Sequence, residues 1–503
     1  MAFGRTHRAR RGLAAAIALA CGTSAAAAAP TPVPVSPGPA VRPPVPAPLG
    51  ANPALALPGG DEFGAPLIID GVEIVGNEST SAGVIERTLE FVPGQRMRAD
   101  DRRLRLARYR LLALGFFREV ALTMRRGAAR GHVVIVVTVV ERGTVVLNRL
   151  WFGTSTTSVG WIGADVSERN FLGTGVGVGG GAVYAARGGI DDSRAQAAAE
   201  LRIGVAEVAG TRWSWTAAAT AVRGSEPYRI DGALDDDAAA HFDAFAYRRL
   251  GVRAVAGYDV SAWTRIHVGA RLEDLDATLP AAPTRTLPSG EVLPLDLHLR
   301  DGRSQVATVS VGLDRDTRRD PVLPHDGTRV QLLAEGGARA IAGDYHFATV
   351  AARLDRWWPV RDGTHAVGLR LAGAATFGDA PRFDRVHLSE VNRMITPRAM
   401  GLTVASSAAP DFLGTRGEDE ATGEVGGSVV VEYVARLFRG GRHVFAGDLF
   451  VGAGAWALAN RDSPAALGDG LPFDLVLDAG LRLDTELGIF ELTLANALGR
   501  VAW

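Results

Sequence analysis

The sequence contains no lysine, and Cys21 is its single cysteine. All 54 basic residues are therefore arginine, and 55 acidic residues bring the formal net charge to −1. Nucleic-acid-binding proteins usually carry a basic excess on one domain, so this balance argues against that class. One cysteine cannot form an intramolecular disulfide, which excludes a small disulfide-stapled scaffold.

Long apolar runs and the common catalytic motifs are missing as well. From residue 143 onward, no uncharged apolar run approaches the roughly 18 residues that a membrane-spanning helix requires. The chain has no HExxH, GxSxG or P-loop motif. Gly175, Gly177 and Gly180 have the GxGxxG spacing of a nucleotide-binding loop, but no amphipathic helix is predicted after them. We therefore predict no enzymatic activity, no metal and no cofactor.

Glycine is the residue in excess, with 61 in 503 residues. The glycines follow no three-residue period, which excludes a collagen-like chain, and they lie among short runs of valine, leucine and alanine. This composition favours a mainly β fold with tight turns and closely approaching strands.

The first 66 residues have the composition of an export signal and a spacer. Four arginines precede the apolar stretch Leu13–Ala20, and small residues follow, which is the pattern of a cleaved signal peptide over residues 1–28. Between Pro30 and Pro66, 12 of 37 residues are proline, so we expect residues 29–66 to form an extended linker without a packed core. Removal of the leader would also remove Cys21.

Residues 67–142 have the pattern of a small α+β domain. A strand is predicted at Leu67–Val75, followed by helices within 79–89 and 100–114 and by strands at Phe116–Met124 and His132–Glu141. Apolar residues recur at helical spacing in the second helix, and Gly115 ends it. The predicted order of elements is β-α-α-β-β.

Residues 143–503 alternate between apolar and polar side chains. The stretches RVQLLAE at 329–335, VGLRLA at 367–372 and DLVLDAGLRLD at 474–484 each place apolar residues on one face of a strand. A soluble β-sandwich would show the same alternation, but the export signal and the terminal aromatic residue Trp503 favour a membrane barrel. At about 22 residues per strand and connection, the segment predicts about 16 strands of an antiparallel transmembrane β-barrel.

Local motifs in the α+β segment resemble a known module. A strand that ends in Gly76-Asn77, a Pro-Gly pair, the run LGFF with Gly115 and Phe116, and a valine-rich strand that ends in Glu141 occur in this order. The series resembles a POTRA domain, the periplasmic module of outer-membrane assembly and secretion proteins. One POTRA domain is therefore expected over residues 67–142.

The barrel segment resembles the outer-membrane assembly and secretion superfamily of BamA/TamA/FhaC type, also called bacterial surface antigens. The stretch SERNFLGTGVGVGGG at 167–181 is similar to its early-barrel turn and contains Asn170, Gly173 and Gly175. The stretch VGLDRDTRRDPVLPHDGTRV at 311–330 is similar to its mid-barrel turn, with Asp320 and Gly327 as the motif residues. Trp503 matches the C-terminal barrel signal of outer-membrane barrels.

In this superfamily a long loop folds back into the barrel lumen, and its arginine pairs with an acidic residue on the wall. The similar stretch MITPRAMGL at 394–402 contains Arg398, although Ala399 and Met400 separate the arginine from the glycine. Gly452 stands where the superfamily has its wall aspartate, and Asp448 lies on the same strand face. The resemblance thus implies a lumenal lock between Arg398 and Asp448, with an ordinary loop arginine as the alternative.

The resemblance also implies a function. The chain is expected in the bacterial outer membrane, with the POTRA domain in the periplasm, as an insertase or translocase that captures client polypeptides and inserts or passes them through the barrel. Expected partners are the outer-membrane bilayer, unfolded outer-membrane or secreted clients, and a periplasmic or inner-membrane accessory protein, but no nucleic acid. The alternatives are a two-partner-type exporter of one secreted protein and a structural or passive-pore barrel.

Overall fold

The computed structural model of the protein describes two connected parts, a small α+β domain and a β-barrel. The described residues are 66–89, 91–153, 158–205, 208, 211–232, 238–261, 263–318, 320, 323–387, 398–403, 422–441, 443–459, 474–485 and 488–495. The predicted signal peptide, nearly all of the proline-rich linker and Trp503 lie outside these residues.

The α+β domain contains four strands and two helices. They are β1 (Leu67–Val75), α1 (Ala82–Thr88), β2 (Arg96–Met97), α2 (Arg102–Ala113), β3 (Phe117–Arg126) and β4 (His132–Glu141). The sheet order is β2-β1-β4-β3, with β1 parallel to β4 and the other pairs antiparallel. Ile69, Ile85, Leu111 and Ile135 are fully buried between the sheet and the helices. The predicted order of elements is observed, with β2 as an added two-residue strand.

Local sequence explains how the second helix begins and ends. The Asp101 carboxylate accepts a hydrogen bond from the backbone N–H of Arg103 (2.9 Å), which satisfies one of the free donors of the first turn. After Leu114 the chain turns at Gly115, whose φ of +76° is the left-handed conformation that glycine adopts without a steric penalty.

Fifteen strands of the described residues form one antiparallel sheet that curls into a barrel. Its strands in chain order are β5 (Val145–Gly153), β6 (Trp161–Phe171), β7 (Val176–Ala185), β8 (Gln196–Val205), β9 (Trp213–Arg229), β10 (Phe242–Ser261), β11 (Thr264–Thr278), β14 (Gly302–Asp316), β15 (Gly327–Gly337), β16 (His346–Val360), β17 (His365–Asp379), β22 (Val425–Arg439), β23 (Val444–Ala459), β24 (Asp474–Thr485) and β25 (Gly488–Ala495). Each strand pairs with the next barrel strand along the chain. The expectation of a mainly β, antiparallel barrel is confirmed, with fifteen described strands against about 16 predicted.

Short strands lie in the connections. They are β12 (Thr284–Thr286), β13 (Val292–Pro294), β18 (Val386–His387), β19 (Arg398–Ala399), β20 (Leu402–Thr403) and β21 (Thr422–Gly423). We call the barrel end that is joined to the α+β domain the domain-side end and the opposite end the distal end. Connections at the domain-side end are short except for the β14–β15 connection, whereas the longest connections lie at the distal end, as in bacterial outer-membrane barrels.

The predicted alternation sorts side chains between the lumen and the outer surface. On β10, Tyr247 and Val255 are buried toward the lumen, whereas Leu250 and Val260 are about half exposed on the outside. The polar faces predicted on β15, β17 and β24 point inward, where Arg329 pairs with Asp314 and Arg370 with Glu432. Among the described residues, no helix is long and apolar enough to cross a membrane.

Candidate functional site

The turn between β6 and β7 docks directly onto the α+β domain. The Asn170 side-chain amide donates to the Thr80 hydroxyl (2.8 Å), and its amide oxygen accepts from the Gly175 N–H (2.8 Å). The backbone N–H of Ser81 donates to the carbonyl of Gly173 (2.9 Å). Asn170 and Thr80 are both buried. We call this contact, made by residues 77–81, 141 and 170–175, the domain joint.

Glycine is required in the turn because the two backbones approach closely. Gly173 has a φ of +72°, and a Cβ atom at this position would lie 1.9 Å from the carbonyl oxygen of Ser79. Such a contact is far inside van der Waals distance, and the backbone on both sides would have to move. The glycines of the early-barrel motif therefore form the surface on which the α+β domain rests.

Glu141, at the end of β4, completes the joint from the domain side. Its carboxylate accepts from the backbone N–H groups of Ser79 (2.8 Å) and Thr80 (2.6 Å). Burial raises the pKa of Glu141, but the hydrogen bonds from Thr80 and Ser79 outweigh it, so the net pKa is lower than that of a free glutamate. The same loop thus binds Glu141 through its backbone and Asn170 through the Thr80 side chain.

The predicted POTRA motif residues hold this loop and the domain core. Gly76 turns with a φ of +88°, and the Asn77 side chain donates to the carbonyl of Thr80 (3.0 Å). Gly115 ends α2, and Phe116 is buried against Phe117 in an edge-to-face pair. The structure therefore brings Gly76 and Asn77 next to the barrel motif, while Gly115 and Phe116 lie in the domain core.

A segment of the connection from β17 to β22 lies inside the lumen. We call Pro381–His387 the lumenal plug. The Arg382 N–H donates to the carbonyl of His298 (2.9 Å), and its guanidinium lies 3.7 Å from Glu226. Phe383 packs on the Tyr247 ring, with 4.4 Å between ring centroids.

Arg271 holds the plug against the wall by charge. Its guanidinium binds Asp384 of the plug and, at 3.1 Å, Glu335 on β15, and it lies 3.8 Å from Glu273. Arg249 binds Glu273 and lies over the ring of Phe383 (4.4 Å). Because each buried charge has an oppositely charged partner, the plug can be stable in a partly dry lumen.

The stretch predicted to carry the lumenal lock is only partly described. Arg398 pairs through its backbone with Thr403 in a tight hairpin, but its side chain lies outside the described part of the chain. The second strand of the hairpin begins at Leu402, which is fully buried in the cluster that contains Trp151 and Val183. The stretch therefore enters the barrel interior, and the pairing of Arg398 with Asp448 stays a prediction.

Asp448 is already engaged at the domain-side end. Its two carboxylate oxygens contact His325 Nε2 (2.8 Å) and Arg436 Nε (3.2 Å). His325 lies on the β14–β15 connection, which folds into the mouth of the barrel and buries Leu323. Asp448 thus closes the domain-side mouth by holding this connection.

The other mid-barrel motif residues shape the same connection. Asp320 accepts from the backbone N–H of Leu323 (3.0 Å) and from the guanidinium of Arg439 on β22 (3.0 Å). Gly327 has a φ of +100°, and a Cβ there would lie 2.5 Å from the Arg318 Cα. The predicted motif therefore positions the closing connection, and no group of ligands that could hold a metal ion is found among the described residues.

Gly452 has a structural explanation. It stands opposite Asp478 in the β23–β24 register, and a Cβ at Gly452 would lie 1.9 Å from Asp478 Oδ1. An aspartate at position 452 would clash with this carboxylate. The acidic group expected at Gly452 is instead carried by the facing strand.

The two end strands of the sheet form a seam. β5 and β25 approach within 8 Å between Cα atoms, but no backbone ladder joins them in the described residues. On the lumen side, Arg482 of β24 binds Glu491 of β25 (2.6 Å) and the fully buried Glu432 of β22 (2.7 Å). The ion pair between Arg482 and Glu491 therefore holds β25 to β24.

Sequence reasoning missed Thr80, Arg271 and Glu432. Thr80 carries no motif signal, because its role depends on a barrel turn 90 residues away. Arg271 and Glu432 each lie on the polar face of an alternating strand, which could have suggested lumenal positions but not partners. The alternating polarity predicts on which face of a strand a residue lies. Its contacts depend on the strand register and on the position of the lumenal plug.

Comparison with known proteins agrees with this architecture. Residues 170–390 match the Omp85 superfamily domain. The fold is similar to BamA from Haemophilus ducreyi lacking POTRA domains 1–3, with a TM-score of 0.52, 15% identity and coverage of 86% of this chain and 81% of that chain. It is also similar to CdiB from Escherichia coli, with a TM-score of 0.53, 11% identity and coverage of 86% and 72%. No curated protein sequence matches the chain.

Proposed function

We propose that this barrel, a member of the Omp85 superfamily, is an outer-membrane protein insertase whose α+β domain is a POTRA domain in the periplasm. The seam between β5 and β25 is the observation that carries the proposal. A client strand entering the bilayer cannot leave its backbone groups unpaired in lipid, so a temporary edge partner lowers the barrier to insertion.

The lengths of the end strands support opening at the seam. β5 has nine residues and β25 has eight, whereas β10 has 20. The described residues of β5 and β25 form no backbone ladder with each other, so separating these strands breaks fewer hydrogen bonds than separating any pair near β10. β5 also follows β4 after only three residues, which connects the seam to the α+β domain.

The α+β domain offers an edge for client capture. β3 has ten residues and lies at one edge of the four-stranded sheet, while the other edge is the two-residue strand β2. An extended client segment could add to β3 through backbone hydrogen bonds, which require no particular client sequence. Capture at β3 followed by pairing at the seam gives the proposed order of events.

The occupied lumen argues against a passive pore. The lumenal plug occupies the interior and is held by the ion pair of Arg271 with Asp384. The β14–β15 connection occupies the domain-side mouth and is held by the contact of His325 with Asp448. A permanently open channel would need neither. An exporter would have to release both segments for each passage.

Depletion of the protein in its own host tests the proposal. We expect a broad loss of folded outer-membrane barrels, measured by quantitative proteomics of outer-membrane fractions. Loss of a single secreted protein would assign export instead, and unchanged membrane and secreted proteomes would contradict both functions.

Paired proline variants test the capture edge. Backbone N–H groups along a strand point alternately toward and away from the neighbouring strand, so one of Ala121→Pro and Leu122→Pro removes a donor from the β3–β4 ladder and the other a donor from the free edge. One of the two variants should leave the α+β domain folded, as measured by circular dichroism. In cells depleted of the wild-type protein, we expect this variant to fail to restore the levels of folded outer-membrane barrels. Full restoration by that variant would exclude capture at β3.

A further inference from the structure

Two arginines stand directly opposite one another on the outer surface of the barrel. Arg223 of β9 and Arg248 of β10 are register partners, and both are exposed. Neither guanidinium makes an ion pair or hydrogen bond with any residue that the structure describes. Like charges directly opposite on one sheet face repel each other, so a counter-charge from outside the chain would stabilise this arrangement.

The same two strands mark the edges of the membrane band. Trp213 and Tyr258, also register partners, stack on the outer surface with 4.9 Å between ring centroids, as interfacial aromatic residues do. The outward positions between the aromatic pair and the arginine pair are all apolar: Trp215, Ala217, Ala219 and Ala221 on β9, and Leu250, Val252, Ala254 and Ala256 on β10.

The spacing places the arginines at the opposite interface. Ten residues separate Trp213 from Arg223 and Arg248 from Tyr258. At about 3.3 Å per residue and a strand tilt of about 40°, this spacing corresponds to a height of about 25 Å, which is the height of the apolar band of outer-membrane barrels. The guanidinium groups therefore lie at headgroup level at the distal end, and not in the hydrocarbon.

Neighbouring charges leave the surface net positive. Asp276 of β11 stands opposite Arg248 without forming an ion pair, and Arg303 of β14 stands opposite Asp276. Arg303 lies 3.8 Å from Asp274, which weakens its contribution. The row Arg223, Arg248, Asp276 and Arg303 thus has three positive charges against one negative charge.

We propose that Arg223 and Arg248 bind the phosphate groups of lipids in the outer leaflet, as a fixed anionic-lipid site on the barrel. Two guanidinium groups on adjacent strands can donate to one phosphate or to two neighbouring ones, and the planar donor geometry of arginine suits phosphate oxygens. The assignment to the outer leaflet rests on the proposed function, which has the distal end at the cell surface.

Lipid-dependent thermal stability of the purified full-length barrel tests the site. The protein in neutral detergent is titrated with lipid A, phosphatidylglycerol or phosphatidylcholine, and the folded fraction is followed by its gel mobility during heating. We expect the two lipids with net negative charge to stabilise the wild type. The double variant R223Q/R248Q should need about 30-fold more of either lipid, at about fivefold per arginine near an anionic surface.

Two matched variants separate a phosphate site from a folding defect. R223K/R248K keeps the charge and should retain most of the response, whereas R315Q removes an exposed arginine at the domain-side end of β14 and should respond as the wild type does. Equal stabilisation of wild type and R223Q/R248Q, or equal stabilisation by phosphatidylcholine, would overturn the proposal.

The orientation of the barrel in the outer membrane can be measured separately. Ser289 lies exposed on the distal hairpin between β12 and β13, and the chain offers no cysteine other than Cys21 in the predicted leader. Labelling of a Ser289→Cys variant on intact cells by a membrane-impermeant maleimide would support the outer-leaflet assignment, and its absence would contradict that assignment. The lipid titration contains no client, so failure of the insertase proposal would leave its result unchanged.

Discussion

The domain joint and the lumenal plug join separate parts of the chain by different chemistry. In the joint, a neutral asparagine, a threonine and backbone groups exchange hydrogen bonds around closely packed glycines, and Glu141 is the only carboxylate among the contacts described above. At the plug, Arg271 faces Asp384 of the plug and Glu335 and Glu273 of the wall, and Arg249 shares Glu273. The joint depends on shape and the plug depends on charge.

This difference fits what each part must do. Hydrogen bonds among neutral groups are each modest, but close backbone approach makes the joint specific and keeps the α+β domain in a fixed orientation next to β5. Ion pairs in a lumen become weaker when water enters, because hydration competes for both charges. A plug held by charge can therefore be released as a unit, while the joint stays closed.

The largest effect is expected for Arg271→Met. Removal of the guanidinium takes the partner from Asp384 and Glu335, while Glu273 keeps Arg249. Loss of one member of a buried pair typically costs about 3–5 kcal/mol. We expect a lower urea midpoint of the folded barrel and a higher ion conductance in planar bilayers. Arg315→Met, at an exposed outward position, serves as the control; a closed and fully stable R271M barrel would show that charge does not hold the plug.

Gly173→Ala is the next test, and Gly94→Ala is its matched control. Both glycines have positive φ, of +72° and +84°, but only Gly173 lacks space for a Cβ atom. We expect Gly94→Ala to cost about 1–2 kcal/mol from backbone conformation, and Gly173→Ala to cost more and to expose the joint to hydrogen exchange. If both variants lose the same stability, the close approach of Gly173 to Ser79 does not add to the cost of the substitution.

Asn170→Ala should have an intermediate effect. It removes the bond to Thr80 and leaves the Gly175 N–H without its acceptor, for an expected loss of about 1–3 kcal/mol in the free energy of unfolding. A double-mutant cycle with Thr80→Val measures the pair directly, since both single variants remove the same hydrogen bond. If the stability losses of the two single variants add strictly in the double variant, Asn170 stabilises the protein only through its hydrogen bond with the Gly175 N–H.

The smallest effect concerns pH. The pKa of Glu141 is lowered in the folded protein, so its stabilising contribution is present above the pKa of a free glutamate and is lost as the pH falls through the lowered value. As the pH falls below the pKa of a free glutamate, we expect the amides of Ser79 and Thr80 to lose protection from hydrogen exchange. Glu141→Gln should remove this dependence; an identical profile in both proteins would assign it to another group.

The fold was predictable to a large extent because its signals are local. A period of two in side-chain polarity follows from the pleat of a strand, and it correctly separated lumenal Arg329, Arg370 and Arg482 from outward Leu332. Gly173 and Gly327 were recognisable because turns of this kind depend on a few adjacent residues. The candidate site was less predictable: the pairing of Arg398 with Asp448 rests on resemblance alone and stays a prediction, and no sequence pattern indicates that His325 and Arg436 contact Asp448.

The sequence by itself determined which residues face the lumen, where the tight turns lie and that the chain forms an antiparallel β-barrel with a small α+β domain before it. Only the tertiary structure decided that Asn170 meets Thr80 across 90 residues, and that Arg271 meets Asp384 across 113. Polarity along a strand fixes the direction of a side chain, since neighbouring residues point to opposite faces. Its partner depends on strand register, on the curl of the sheet and on the path of a loop through the lumen, which arise from contacts along the entire chain.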